Sequence, residues 1–367
     1  MRPGRPSPSP LAHIAYALCG HGRGHSSRAR AVAATLRERG HRVSFAADDP
    51  AASRLADASD GPVLRVPGLR QVMRQNKVRL GATARANLDL TWQSPDLIAD
   101  AEGWMTALAV DAVVADHEPF VGRAARRMGL PVVALSHQMV LTEARPRVPL
   151  RHAASAWSTR VGIGILNPPY DFAVAPSFFF PPLRPGAAAV LVPPILRDDV
   201  LALRARTGAR VLVYVNDGDG MAPLLDALDG VPADVYGLDP SLRAPAGVRL
   251  KAPSRPGFLA DLASCRAVVA TAGFTLLSEA LHLGKPVLAV PNRGFFEQAV
   301  NALALAEQGR GAWVPRLTRP ALRAFLARDG RYRRGQASVD EGLRGREQAA
   351  DAIERVVNTA LAPAPAP

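Results

Sequence analysis

Residues 271–301 constrain the fold of this chain more than any other stretch. They run Thr271-Ala-Gly-Phe-Thr275, a segment 275–283 with helical spacing, Gly284-Lys-Pro286, the apolar Val287–Val290, then Phe296-Glu-Gln298 with Asn301 a turn later. This reads as strand end, small-residue turn, helix, glycine stop, buried strand, and a second helix opening on an acid–amide pair. Strand–helix–strand order with connections this short belongs to a parallel sheet. Both polar groups then fall on neighbouring loops at the carboxyl edge of that sheet, where open α/β sheets bind ligands.

The same alternation fills the rest of the chain. Ile14–Cys19 is an apolar run, and Ala29, Val32, Ala33 and Leu36 form a helical stripe within residues 27–39 that Gly40 stops. Strands are expected at His41–Ala47, Asp111–Ala115 and Pro131–Leu135, with a helix over Val121–Met128. A proline-rich zone from Pro168 to Pro194 follows, and the alternation restarts at Arg210–Val215. A chain of 367 residues suits about two domains. We expect a disordered lead at 1–10, an N-terminal Rossmann-like domain at 11–197, a C-terminal one at 198–345, and a helix with a disordered Ala-Pro tail at 346–367. That helix is expected to cross back to the first domain. Two such doubly wound halves leave a cleft between them, a preferred place for small molecules.

Charge points to anionic partners: the net charge is +13. Aromatic residues make up only 5% and the arginines are scattered, so nucleic acid is not an expected partner. No window approaches a membrane span, and the Pro-rich start lacks the apolar core of a signal peptide. Cys19 and Cys265 form no disulfide framework, so a cytoplasmic setting is expected. The basic stretch 70–88 suggests peripheral contact with an anionic membrane face.

Gly20-His-Gly-Arg-Gly-His25 follows the first strand, with Asp48 ending the second. A dinucleotide fingerprint needs G-x-G-x-x-G, but His25 or Ser27 occupies the third glycine position, so a dehydrogenase is not expected. His21 and His25 are four apart without an evident third ligand, so no metal is expected either. His25, at a helix start, is the candidate base. Asp116, ending a neighbouring strand, is placed to orient it, with Glu118 as the competing carboxylate and helix capping as the alternative role for Asp116.

In the second half, Gly273 permits close approach to the backbone, while Phe274 and Thr275 present N–H groups at the positive end of a helix dipole. Glu279, Glu297, Gln298 and Asn301 supply acceptors and donors for hydroxyls. Arg210, Asn216, Asp217, Gly218 and Gly220 around the first strand of this half are candidates for the phosphate side. A phosphate beside hydroxyl readers is the chemistry of a nucleotide sugar.

These pieces, with Gly20–Arg28 and Asp116-His-Glu-Pro119, resemble the GT-B glycosyltransferases over roughly residues 11–355. Within that fold the chain is similar to a group of uncharacterised bacterial and archaeal members. More distantly, residues 270–302 resemble the donor region of the peptidoglycan N-acetylglucosaminyltransferase and of UDP-glycosyltransferases. The resemblance implies transfer of a hexosyl group from a nucleoside diphosphate sugar, with UDP as the candidate nucleotide, and neither cofactor nor metal. It places Glu279 on the ribose, the Gly273–Thr275 turn on the diphosphate, and Glu297 and Gln298 on the sugar. Asn216 joins the donor side, Arg255 and Phe258 flank the base, and Gly22, Arg23 and Gly24 form an acceptor or phosphate loop. His25, backed by Asp116, is the implied base. Two motifs depart: Glu297-Gln298 stands where relatives often carry Asp-Gln, and Ser136-His137-Gln138 where they carry Asn-Gln-His, so His137 inherits no role. A nucleotide-sugar epimerase and a non-catalytic nucleotide- or glycan-binding protein are the competing readings.

Overall fold

The computed structural model describes residues 11–20, 24–49, 51–68, 73–74, 77–78, 80–215 and 221–362. Two parallel sheets organise it. The first contains β1 (His13–Leu18), β2 (Arg42–Ala47) and β3 (Leu64–Arg65). A separate antiparallel pair, β4 (Met73–Arg74) and β5 (Lys77–Val78), comes next in the chain. The sheet continues with β6 (Ala112–Asp116), β7 (Val132–Leu135), β8 (Phe172–Pro176) and β9 (Ala189–Val192). The second sheet comprises β10 (Val211–Tyr214), β11 (Ala233–Tyr236), β12 (Val248–Lys251), β13 (Ala267–Ala270), β14 (Val287–Ala289) and β15 (Gly311–Trp313). Spatial orders are β3-β2-β1-β6-β7-β8-β9 and β12-β11-β10-β13-β14-β15.

Both orders reverse direction at their first strand: β1 lies between β2 and β6, and β10 between β11 and β13. Such switch points open a crevice at the carboxyl ends of the strands. Every residue of β1, β6, β7 and β13 is buried, as expected for strands covered on both faces. In the first sheet Leu18 pairs with Asp116, so β1 and β6 end level with each other. The turn after β1 and the carboxylate ending β6 are thereby brought side by side.

Helix boundaries differ from the sequence expectation where small residues obscure the start. The first helix runs Gly24–Glu38 rather than 27–39, which puts His25 in its first turn. The helix Pro119–Arg127 begins two residues early because Glu118 caps it, its carboxylate accepting from Phe120 N and Val121 N. His117 takes a left-handed φ of 61° between Asp116 and Glu118. This costly turn lets two acids on either side of His117 serve different ends.

The closing helix, Val339–Leu361, opens on a Ser338–Glu341 capping box. Its Ala349, Ala350, Ala352, Ile353 and Val357 lie in the core of the first sheet. Arg39 pairs with Asp351 and Glu354 at 2.7 Å each. Gly345 is needed where this helix crosses the linker, because an added Cβ would sit 2.4 Å from Pro193 O and 2.2 Å from Pro194 O. Among the described residues no helix is long and apolar enough to cross a membrane.

Candidate functional site

Asp116 is fully buried at the tip of β6, and its Oδ1 lies 3.0 Å from His25 Nδ1. Arg28, one turn along the same helix as His25, grips both oxygens of that carboxylate at 2.6–2.7 Å. Its guanidinium also lies 3.1 Å from His25 Nδ1. Burial alone would raise the Asp116 carboxyl, but the Arg28 and His25 charges outweigh it and hold the carboxyl below its ordinary value. Nδ1 thus faces an acceptor in Asp116 and a donor in Arg28; in the tautomer whose Nδ1–H donates to the carboxylate, Nε2 is left to act as acceptor. Glu118, occupied in capping, is instead pushed up to about 7 by burial, the opposing backbone N–H bonds notwithstanding.

The second half meets this pair across a narrow gap. The helix Phe274–His282 starts at Gly273, whose φ of −65° is ordinary. The strained residue is Ala272, at φ 64°. An added Cβ on Gly273 would meet nothing within 4 Å, so there is open space over the turn. On Gly24 it would lie 2.5 Å from Thr275 Oγ1, so that glycine permits the contact between the two halves. Gly24, Ser27, Arg28, Phe274, Thr275 and Glu279 line one small cleft.

Glu279 is buried, and Arg197 from the interdomain linker bonds its Oε1 at 2.9–3.0 Å. Arg197 also approaches Asp199 at 3.4 Å, and Asp199 pairs with Arg255 at 2.5 Å. The linker thus ties together two residues predicted to bind the donor. Burial pushes the Glu279 carboxyl up to about 7, with Arg197 opposing.

Glu297 lies in the first turn of the helix Phe296–Glu307, half-buried. Gln298 uses its Oε1 to accept from Asn292 N at 2.8 Å, which leaves its amide N–H groups for other partners. Asn301 does not join them. It is fully buried, donates to Ala272 O at 3.1 Å, and sets Oδ1 2.8 Å from His137 Nε2 of the first domain. His137 Nδ1 lies 2.7 Å from Pro176 O, and its ring stacks on Phe274 at 3.9 Å. Both ring nitrogens therefore face oxygens, an arrangement fully satisfied only by the imidazolium. Burial outweighs the help of Glu297 and moves the His137 pKa below its ordinary value.

Phe258 packs edge-on against Tyr214 and Tyr236, with Arg255 opening its helix. Arg210 corrects the sequence expectation. It precedes β10, so it lies at the amino end of the strand, away from the ligand edge, and is bound to Asp234 Oδ2 at 2.8 Å. Gly22, Arg23, Asn216, Asp217, Gly218, Gly220 and His21 lie outside the described residues, as does part of the basic stretch 70–88. The sequence reading missed Arg28, Arg197 and the joining role of His137. For Arg28 a signal existed: it falls three residues after His25, on the same helix face. Cys19 and Cys265 are not joined in a disulfide. Among the described residues no group of three or more His, Cys, Asp or Glu is arranged to hold a metal ion.

Comparison with known proteins fits this geometry. The sequence model of the family described as glycosyl transferase family 1 matches residues 12–329. No curated protein sequence matches the chain significantly. Among solved structures, the glycotransferase of kitacinnamycin aligns with TM-score 0.63 at 19% identity, over 95% of this chain and 99% of that one. MurG of Acinetobacter baumannii aligns at 0.57 and 17% identity, over 94% and 99%. The glycosyltransferase VinC, solved in complex with DTDP, aligns at 0.56 and 19% identity, over 95% and 100%. Because the family match runs through both sheets, the chain belongs to glycosyl transferase family 1 and is a glycosyltransferase of the GT-B fold.

Proposed function

We propose that the protein transfers a sugar from a nucleoside diphosphate sugar to an acceptor hydroxyl, with His25 as the base. The observation that carries this reading is the 3.0 Å contact between His25 Nδ1 and the buried Asp116, beside a helix start that suits a diphosphate. Nε2 takes the hydroxyl proton as the acceptor oxygen bonds to the anomeric carbon. The bond from that carbon to the diphosphate oxygen breaks, and its electron pair leaves with the diphosphate. A single displacement of this kind inverts the anomeric centre. The helix N-terminus and Arg197 meet the charge that develops on the leaving group. Glu279 reads the ribose, Glu297 and Gln298 the sugar hydroxyls, and Arg255 with Phe258 the base. VinC, with its bound DTDP, supports a nucleoside diphosphate donor. Metal plays no part in this scheme, so a chelator leaves turnover unchanged.

A thermal-shift panel of UDP, dTDP and GDP with their sugars tests the donor reading, since a ligand that binds only the folded state raises the melting temperature. No shift with any of them removes it. Product analysis with donor alone separates the competing activities: an altered free nucleotide sugar without acceptor identifies an epimerase.

Two further outcomes follow. Gly273→Val adds bulk into open space at an ordinary φ, so the melting temperature falls little. Nucleotide affinity weakens by about tenfold or more, the loss expected when one charge-assisted contact to the diphosphate is blocked. Calorimetric titration showing unchanged affinity sinks the diphosphate assignment. Glu279, titrating near about 7, accepts ribose hydroxyls best when ionised. Nucleotide affinity therefore rises several-fold between about pH 6 and about pH 8, and Glu279→Gln flattens the profile. A wild-type profile already flat contradicts the ribose contact.

A further inference from the structure

One helix of the first domain carries apolar side chains on two faces. In Ala153–Leu166, Ala156 and Ile163 point inward and share a core with Phe296, Val300 and Ala304 of the second domain. Trp157, Val161 and Ile165, spaced four apart, form a second stripe, and they are 69%, 42% and 64% exposed. An apolar helix stripe is normally covered, but here only the side with Ala156 and Ile163 is. Leu150, just before it, is 91% exposed.

The exposed stripe extends onto a neighbouring segment. Ala144 bridges Leu183, Arg145 N donates to Pro182 O, and Arg184 N donates to Glu143 O. This places the exposed Phe180 and Leu183 beside the chain that leads into the helix.

Its charge is one-sided. Between Glu143 and Asp171 the sequence holds Arg145, Arg147, Arg151 and Arg160 and no carboxylate. Arg184 lies close enough to Arg160 to lower its pKa, behind the larger effect of burial. Among the described residues none of these five arginines pairs with an acid, whereas Arg30, Arg37 and Arg39 elsewhere on the surface do. Bringing this face against itself in a symmetric dimer would oppose arginines to arginines, which argues against a second copy as its partner.

We propose that the face formed by the helix Ala153–Leu166 and residues 144–151 and 178–184 docks on an anionic lipid surface. Trp157, Val161 and Ile165 enter the interface between headgroups and acyl chains, and the arginines meet the headgroup phosphates. The net charge of +13 steers the approach. This surface is independent of the donor reading, because lipid binding is measured without turnover.

Vesicle co-sedimentation tests it, with phosphatidylcholine alone and with phosphatidylcholine mixed equally with phosphatidylglycerol. The wild-type protein sediments with the mixed vesicles and not with the neutral ones. The double variant Trp157→Ser with Ile165→Ser loses at least tenfold in apparent affinity while its melting temperature stays near that of the wild type. Should that variant unfold, Arg147→Glu with Arg151→Glu, on an exposed connection, reads the electrostatic half with the same expected loss. No wild-type binding to mixed vesicles overturns the proposal. So does binding undiminished in either folded variant, which would place the lipid contact on another face. A wild-type dimer that the serine variant converts to monomer overturns it too, in favour of a contact between copies.

Discussion

Replacing His25 with alanine lowers kcat by about 10² or more and leaves nucleotide affinity unchanged. The side chain is 21% exposed and sits in the first turn of its helix, where alanine is well tolerated. Among the described residues its side-chain partners are Asp116 and Arg28, both in the first domain. A loss confined to kcat is the signature of a missing base. Turnover that survives the change assigns deprotonation elsewhere. A parallel loss of nucleotide binding would instead show that His25 helps to hold the two halves together.

Replacing Asp116 with alanine has the largest expected effect on stability, about 3–5 kcal/mol, because it strands the buried Arg28 guanidinium without its carboxylate. Asparagine preserves the shape but not the charge. It keeps most of the packing, yet it loses the ion pair with Arg28 and the carboxylate that fixes the His25 tautomer. Asp116→Asn therefore shows both a lower melting temperature and a slower kcat. The pH dependence has a definite sign. The folded-state pKa of Asp116 is depressed, so its contribution is complete above the unfolded value of about 3.9 and is lost as pH falls through the folded value. Acid unfolding of the wild type thus includes a component that Asp116→Asn lacks. Chemical denaturation at a series of acidic pH values shows it as two stability curves that converge. Curves that stay parallel refute the ion-pair account.

The two sheets and the turn that opens the helix Phe274–His282 were legible because their signals are local. Apolar runs, helical stripes and the glycine stops after them all lie within one element, and residues 271–301 are contiguous. The His25–Asp116 contact spans 91 residues and was still within reach, because β1 and β6 are neighbours in the parallel order that the alternation implies. Contacts that depend on how two domains meet were not legible. Arg197 with Glu279 spans 82 residues, and His137 with Asn301 spans 164. Helical spacing says which face a residue occupies, not what that face meets. Asn301 was grouped with Glu297 and Gln298 because it shares their helix face, but one turn further along, that face meets His137 and Ala272. Arg210 was assigned to phosphate by its place near a strand, although the direction of that strand carries it to the far edge.

The His137–Asn301 contact bears on how firmly the two halves are held together. With the ring neutral, as burial favours, Pro176 O takes the Nδ1 proton and Nε2 is left opposite the amide oxygen of Asn301. Turning that amide over only moves the mismatch to Ala272 O, which the amide N–H now satisfies. One oxygen or nitrogen lone pair along this chain always lacks a proton to face. The two halves are thus fastened by a clasp one hydrogen short of complete at neutral pH. Separating them forfeits less than the close packing there implies.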